Sequence, residues 1–252
     1  MGGSMIDVPT QDGTADAYLS KPDDGERHPG VLLIMDAFGV RSQIEGMADR
    51  IVEQGFTVLA PNVFYRDARS PIVPPEELAD PERRGALFER VRPMMAELTP
   101  KRIASDGAAY LDMLEDVGRG PIAITGYCMG ARLGWRIATA YPQRVVALAG
   151  FHAGGLVTDN PESPHLSAAE LAAELYLGHA DNDPSMTPEQ IATLEQALTD
   201  AGVTYTSDLY EDAAHGYTMA DTPAYQREAA ERHFRELFAL LERTLGVGAG
   251  AA

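Results

Sequence analysis

The sequence predicts an α/β fold with a mostly parallel central sheet and helices on both faces. Short apolar runs such as 30–35 and 56–60 lack polar alternation, which is typical of strands covered on both faces. A helical pattern over 42–54 separates these two runs, at the spacing of a βαβ unit. A third observation is the turn after the run 121–125, where a strand passes through glycines directly into a helical pattern.

The remaining elements follow from the same periodicities and from turn residues. Strands are predicted over 16–20, 30–35, 56–60, 121–125, 144–150, 174–177 and 203–210. Helices are predicted over 42–54, 82–98, 101–117, 131–141, 187–202 and 223–245. Between the predicted strand 56–60 and the predicted helix 82–98, the proline-rich stretch 62–80 has no regular period and is interpreted as a loop that covers a site.

The length of 252 residues and the apolar content of 45% favour one large domain. We assign it to 6–245, with 62–100 as a cover region. Residues 1–5 are interpreted as a cloning remnant or a disordered start. The glycine- and alanine-rich residues 246–252 are expected to form a flexible tail.

Composition limits the classes of partner and the cellular compartment that we expect for this protein. The net charge of −18 argues against nucleic acid or an anionic membrane as a partner. The chain has no apolar run long enough for a transmembrane helix and no basic-then-apolar signal segment. One cysteine cannot form an internal disulfide and suits a reducing compartment. We expect a cytoplasmic protein, a monomer or small homo-oligomer, that acts on a small molecule.

The principal motif is Gly126-Tyr127-Cys128-Met129-Gly130. A strand, a G-x-nucleophile-x-G turn and a helix form the nucleophile elbow, which exposes the nucleophile at the carboxyl end of the sheet. Cys128 is therefore the candidate nucleophile, and the Met129 amide could donate to an oxyanion. The competing interpretation of Cys128 is a small buried apolar side chain.

Two further candidates lie downstream, each after its own predicted strand. His215 could act as the base, because a thiol is mostly protonated at neutral pH. Asp181 could orient the imidazole, with Asp183 as the competing acid. Both acids could instead only build a turn, and His179-x-Asp181-x-Asp183 is a weak metal pattern. The order of nucleophile, acid and base matches that of α/β hydrolases.

The turn after strand 30–35 supplies the other candidates. Ala37 is predicted to give the second oxyanion amide. Asp36 could contact the thiol and set its protonation state, or serve as a helix-capping acid. Candidate pocket residues are Phe38, Tyr127, His152, Tyr217 and Arg66.

Other reaction classes lack their motifs. The sequence contains no G-x-S-x-G, no G-x-G-x-x-G after a strand, no Walker loop and no C-x-x-C. Serine nucleophiles, dinucleotides, nucleotides and dithiol redox chemistry thus lose their main support, and no cofactor or metal is expected.

From about Ile6 to Leu245 the chain resembles the dienelactone hydrolase family, α/β hydrolases with a cysteine nucleophile. The motifs that support the resemblance are Asp36-Ala37-Phe38-Gly39, Pro61-Asn62-Val63-Phe64, Gly126 to Gly130, Gly178 to Asp181 and Ala213 to Tyr217. The resemblance implies an α/β-hydrolase fold and hydrolysis of an ester or lactone through a thioester acyl-enzyme. It also favours Asp181 as the acid and requires no cofactor.

Two departures from the family concern the substrate and the thiol. The strand-end acid of the family is usually glutamate, and Asp36 is one methylene shorter. Dienelactone hydrolases hold the substrate carboxylate with arginines, one of them four residues beyond the histidine, where this chain has Met219. We therefore predict a hydrolase of small carboxylic esters or lactones. The alternatives are a ligand-binding module of weak activity and a thiol redox sensor.

Overall fold

The computed structural model describes residues 2–80 and 82–246. Its strands are β1 (Ser4–Thr10), β2 (Gly13–Ser20), β3 (Pro29–Ile34), β4 (Thr57–Pro61), β5 (Arg119–Tyr127), β6 (Val145–Phe151), β7 (Glu174–Ala180) and β8 (Tyr205–Tyr210). Its α-helices are α1 (Ser42–Val52), α2 (Pro75–Leu78), α3 (Arg84–Ala96), α4 (Pro100–Val117), α5 (Met129–Ala140), α6 (Pro188–Asp200) and α7 (Arg227–Leu245). A 3-10 helix spans Pro164–Glu170.

The strands form one eight-stranded sheet in the order β1-β2-β4-β3-β5-β6-β7-β8. All neighbours from β4 to β8 are parallel, and β1 and β2 are antiparallel additions at one edge. This is the predicted α/β architecture. The carboxyl ends of the parallel strands meet at one edge, where α/β sheets bind their ligands.

Helices cover the sheet because its central strands are apolar on both sides. Every residue of β3 and β4 is buried. Helices α1 and α7 meet where Arg50 lies 3.9 Å above the Phe234 ring, and α4 meets α5 where Gly107 lies against Ile137. Truncating a core residue such as Leu32 to alanine is expected to cost about 2–5 kcal/mol.

The first strand was not predicted from the sequence, and it begins within the residues interpreted as a remnant. Ser4 and Met5 pair with Leu19 and Tyr18 of β2. Only Val8 of β1 is buried, so the strand has no apolar alternation to reveal it. Pairing with β2 across a tight turn that ends at Gly13 stabilises it instead.

At the other terminus, α7 ends at Gly246, which has a left-handed φ of 65° as is common after a helix. The part of the predicted flexible tail that follows Gly246 lies outside the described residues. No helix in the described ranges is long and apolar enough to cross a bilayer.

The cover region and the turn after β3 together form a small apolar cluster that is separate from the main core. Its buried members are Ala37, Phe38, Val73, Leu78, Leu87 and Val91. The first two follow β3 and the others belong to the segment with α2 and α3. The segment 62–100 is therefore anchored above the carboxyl edge of the sheet, directly on the turn after β3.

Candidate active site

Cys128 occupies a strained turn between β5 and α5. Its φ of 54° and ψ of −115° lie outside the regions that non-glycine residues normally adopt. A methyl group at Gly130 would collide with the carbonyl oxygens of Ile34 and Met35, and one at Gly126 would collide with the backbone of Gly130. The two glycines therefore permit the tight strand-to-helix crossing that presents the thiol, as in a nucleophile elbow.

His215 lies in the loop after β8 and binds a carboxylate. Its Nδ1 is 2.6 Å from Oδ2 of Asp183, which follows β7. Ser185 supports this contact, because its Oγ donates to Asp183 Oδ1 at 2.6 Å and lies 3.1 Å from His215 Nδ1. The Ser185 backbone amide donates to the same carboxylate at 2.9 Å. The arrangement fixes the imidazole ring and leaves Nε2 as its other functional atom.

The prediction that Asp181 orients His215 is corrected by this geometry. Oδ2 of Asp181 accepts from the backbone amide of Asp212 at 3.2 Å. Between the two acids, Asn182 adopts a left-handed φ of 52° and turns the chain, so that Asp183 faces the histidine. The side chain of His179 contacts β8 instead, with Nε2 3.2 Å from Ser207 Oγ. The three side chains of the weak metal pattern thus diverge.

The charges of this pair are coupled to Cys128. Burial acts to lower the pKa of His215, but the Cys128 charge and the hydrogen bonds with Asp183 and Cys128 outweigh it and raise that pKa to about 10. Burial also acts to raise the pKa of Asp183, and its hydrogen bonds and the His215 charge hold it below the usual range. The raised pKa favours the imidazolium form of His215.

Asp36 does not contact the thiol in this structure. Its Oδ1 and Oδ2 accept from Arg41 at 2.7 and 3.0 Å, and Oδ1 also accepts from the Phe38 amide at 3.0 Å. Arg41 is buried and binds Asp221 as well. The predicted thiol-activating role is therefore corrected: the carboxylate is held in an ion pair because its short side chain lies within reach of Arg41.

Two backbone amides near Cys128 have no hydrogen-bond acceptor in the described ranges. Met129 is the first residue of α5, so its N–H has no acceptor within the helix. In the described ranges, the Ala37 N–H also has no acceptor, whereas the next amide, that of Phe38, is used by Asp36. The oxyanion pair Ala37 and Met129 stays a prediction, and both of its N–H groups are available as donors.

A cavity of about 80 Å³ lies over the thiol. Its lining includes Asp36, Ala37, Phe38, Phe88, Cys128, His152, His215, Gly216, Met219 and Thr222. Phe38 and His152, two of the candidate pocket residues, both lie in this lining. Phe88 comes from α3 of the cover region and is 41% exposed, so the cover contributes directly to the cavity wall.

Three predicted pocket residues lie elsewhere. Tyr127 is fully buried, with its hydroxyl 2.9 Å from His233 Nε2. Tyr217 is also buried and donates to the Gly178 carbonyl at 3.2 Å. Arg66 pairs with Asp12 and Asp106, at 2.7 Å each. The tyrosines pack behind the site because of their apolar rings, and Arg66 is satisfied by two acids.

His152 forms a neutral wall of the cavity. Burial, together with the charge on His215, lowers its pKa well below the usual value. Its Nε2 lies 2.7 Å from Thr218 Oγ1, and its ring meets that of His215 edge-on with centroids 5.2 Å apart. A neutral ring at this distance does not compete with His215 for a proton.

Sequence reasoning missed Arg41 and Ser185. An Asp-x-Ser pattern is a common local turn in which the acid accepts from the serine, and Asp183-Pro184-Ser185 has it. That pattern could have identified Asp183 as the better-supported acid. Arg41 has no comparable signal, because its partner Asp221 is distant in sequence.

Comparison with known proteins identifies the family of this chain. The model of the Dienelactone hydrolase family matches residues 15–245. A Yersinia pestis protein provisionally named carboxymethylenebutenolidase is 26% identical, covering 89% of this chain and 82% of its own. The carboxymethylenebutenolidase of Rhodococcus opacus is 27% identical, covering 92% and 87%.

A solved structure shows the same fold. The crystal structure of a provisionally named dienelactone hydrolase from Klebsiella pneumoniae aligns with a TM-score of 0.83 at 22% identity. The alignment covers 96% of this chain and 98% of that one. Since the family model spans most of the sequence and the fold agrees, the chain belongs to the dienelactone hydrolase family and is a hydrolase enzyme.

Proposed function

We propose that this protein hydrolyses small carboxylic esters or lactones through a thioester on Cys128, with His215 as proton carrier and Asp183 as its orienting acid. The contact of 2.6 Å between His215 Nδ1 and Asp183 Oδ2 is the main support, since it orients an imidazole whose pKa depends on Cys128. The strained elbow conformation of Cys128 is the second observation that supports the proposal.

In the acylation step, Sγ of Cys128 attacks the substrate carbonyl carbon and forms the C–S bond. The carbonyl oxygen becomes an oxyanion, which the amides of Ala37 and Met129 stabilise with hydrogen bonds. The C–O bond to the leaving group then breaks, and the proton on Nε2 of His215 passes to the alkoxide. In a lactone the alkoxide stays attached to the acyl group.

In the deacylation step, neutral His215 removes a proton from a water molecule as the water oxygen attacks the thioester carbon. The same amides stabilise the second oxyanion, and the C–S bond breaks to release the carboxylic acid and the thiolate. Asp183 keeps Nδ1 protonated throughout, so that Nε2 exchanges the proton.

The wall of the cavity supports a small, weakly charged acyl group. Phe38, Phe88 and Met219 give it apolar side chains, and the volume is about 80 Å³. Arg41 is neutralised by two acids and offers little charge to a substrate. The relatives named carboxymethylenebutenolidase support a lactone as one substrate class, since a butenolide is an unsaturated lactone.

The decisive experiment measures p-nitrophenyl acetate turnover together with intact-protein mass. The native enzyme is expected to turn over repeatedly and to show an acetyl adduct that maps to Cys128. Cys128→Ala and His215→Ala should each lose about 10⁴-fold in rate or more. Turnover that survives Cys128→Ala would refute the nucleophile, and thiol alkylation without turnover would favour a binding or redox role. A panel of neutral esters, neutral lactones and dienelactone then assigns the substrate class.

A further inference from the structure

A second cavity, of about 310 Å³, lies beside α5. Its walls are α5, the segment 95–100 between α3 and α4, and the loop 155–164. None of its lining residues lines the catalytic cavity. We call it the arginine cavity, after Arg132 and Arg136, which project from consecutive turns of α5.

The two arginines lack counter-ions. In the described part of the chain, neither guanidinium lies within 4.0 Å of a carboxylate, whereas Arg41, Arg66 and Arg144 each bind two acids. Neither guanidinium donates a hydrogen bond to any group in that part of the chain. Both are half-buried, and burial lowers the pKa of each. A partly desolvated cation without a partner is costly unless something supplies the missing charge.

The geometry of the pair suits an anion. Residues four apart on a helix lie on one face, so both guanidinium groups reach the same cavity. Guanidinium groups match the oxygens of carboxylates and phosphates with paired hydrogen bonds. The Arg132 side chain passes close to the backbone of Gly155, where even a methyl group would approach Nη1 to 3.3 Å. It is thus confined against the cavity wall.

The rest of the lining indicates what is attached to that anion. Met95, Leu98, Leu133 and Pro164 are apolar members of the wall. The one acidic member is Glu162, which is exposed at the rim and acts on Arg136 only at longer range. A ligand here would combine an anionic head with an apolar group.

We propose that the arginine cavity binds a small amphiphilic anion, in which a carboxylate or a phosphate monoester is joined to a short apolar or aromatic group. Arg132 and Arg136 bind the anionic oxygens, and the apolar wall packs against the remainder. This site does not depend on the proposed hydrolysis, because it shares no residue with the catalytic cavity.

The test is isothermal titration calorimetry of the full chain with three ligands of the same ring size: benzoate, phenyl phosphate and benzyl alcohol. Saturable binding of at least one anion, but not of the neutral alcohol, is expected. The comparison of benzoate with phenyl phosphate identifies the preferred head group. Absence of saturable binding by both anions would overturn the proposal, as would equal binding of the alcohol.

Variants assign the binding to this cavity. Arg132→Gln and Arg136→Gln should each weaken binding of the preferred anion by about tenfold or more. Arg243→Gln, which removes an arginine paired with Glu174, should leave it unchanged. Glu162→Gln should tighten it, since a nearby like charge is removed. Unchanged affinity in both cavity variants, or weaker binding in Glu162→Gln, would contradict the assignment.

A stability measurement separates binding from misfolding. Because each cavity variant removes an unpaired charge, its melting temperature without ligand should equal or exceed that of the native protein. The preferred anion should raise the melting temperature of the native protein and not that of the Arg132→Gln, Arg136→Gln double variant. A clear drop in the melting temperature of the double variant would show that the arginines are structural and overturn the proposal.

Discussion

The carboxylate of Asp36 and the guanidinium of Arg41 form a bidentate ion pair, with distances of 2.7 and 3.0 Å. Arg41 Nη2 also lies 3.7 Å from Sδ of Met219. Residue 219 is the position where dienelactone hydrolases have a substrate-binding arginine. The Arg41 guanidinium thus lies beside that position, but two acids already neutralise it. The ion pair holds Asp36 in the wall of the cavity.

Breaking this pair should destabilise the fold. Arg41→Met leaves the buried carboxylate of Asp36 without its cationic partner and is expected to reduce the free energy of unfolding by about 3–5 kcal/mol. Adding Asp36→Asn removes the stranded charge, so the double variant should recover part of the loss. Urea unfolding of the four proteins measures this, and a fully additive cycle would contradict a direct interaction.

Substitution of the two candidate acids, Asp183 and Asp181, should reduce activity to different extents. Asp183→Asn keeps the shape but disturbs the tautomer of His215, so kcat should fall by about 10⁴-fold, as the equivalent change does in serine proteases. Asp181→Asn is the matched control and should stay within a few fold, since among the described residues the Asp181 carboxylate accepts a hydrogen bond only from the Asp212 amide. Steady-state kinetics decides, and the reverse ranking would exclude Asp183 as the orienting acid.

The pKa of His215 should depend on Cys128. The thiolate charge is the foremost factor that raises this pKa to about 10, so Cys128→Ala should lower it markedly. Imidazole NMR titration of the native protein and the variant measures both values. An unchanged pKa in the variant would show that Asp183 alone sets it.

The same shift predicts how stability varies with pH. Because the pKa of His215 rises from 6.5 in the unfolded chain to about 10 in the folded one, protonated His215 stabilises the fold fully below pH 6.5. That contribution is lost as the pH rises through about 10. The free energy of unfolding, compared with that of His215→Gln, should therefore decline across this window. A difference that grows with pH would contradict the assigned sign.

Phe88 should limit the size of the acyl group. Phe88→Ala opens a wall of the cavity of about 80 Å³ and should raise kcat/KM for butyrate relative to acetate esters. Leu166→Ala, another exposed apolar side chain at 63% exposure, is the control and should not alter this ratio. An identical ratio in the native and Phe88→Ala enzymes would show that α3 does not define the acyl site.

The elbow should tolerate no side chain at Gly130. Gly130→Ala forces a methyl group against two backbone carbonyls, so the variant should lose activity and melt well below the native protein. Gly46→Ala in α1 has open space and should be neutral or slightly stabilising, because alanine favours a helix by about 1 kcal/mol over glycine. Equal melting temperatures would mean that the turn can relax.

The sequence by itself determined the architecture and the local motifs of the candidate site. Buried strands such as β3 are apolar throughout, and the helices between them have their own period, so both are visible locally. The elbow around Cys128 is a contiguous motif, and His215 follows its own strand. β1 was missed because pairing with β2, and not burial, stabilises it.

Only the tertiary structure decided which partners meet. The left-handed Asn182 turns Asp183, and not Asp181, toward His215. Asp36 pairs with Arg41 because the fold also brings Asp221 to that guanidinium, 180 residues along the chain. Residue type and spacing reveal local geometry, but the choice between two nearby carboxylates depends on side-chain directions that distant segments fix when they pack.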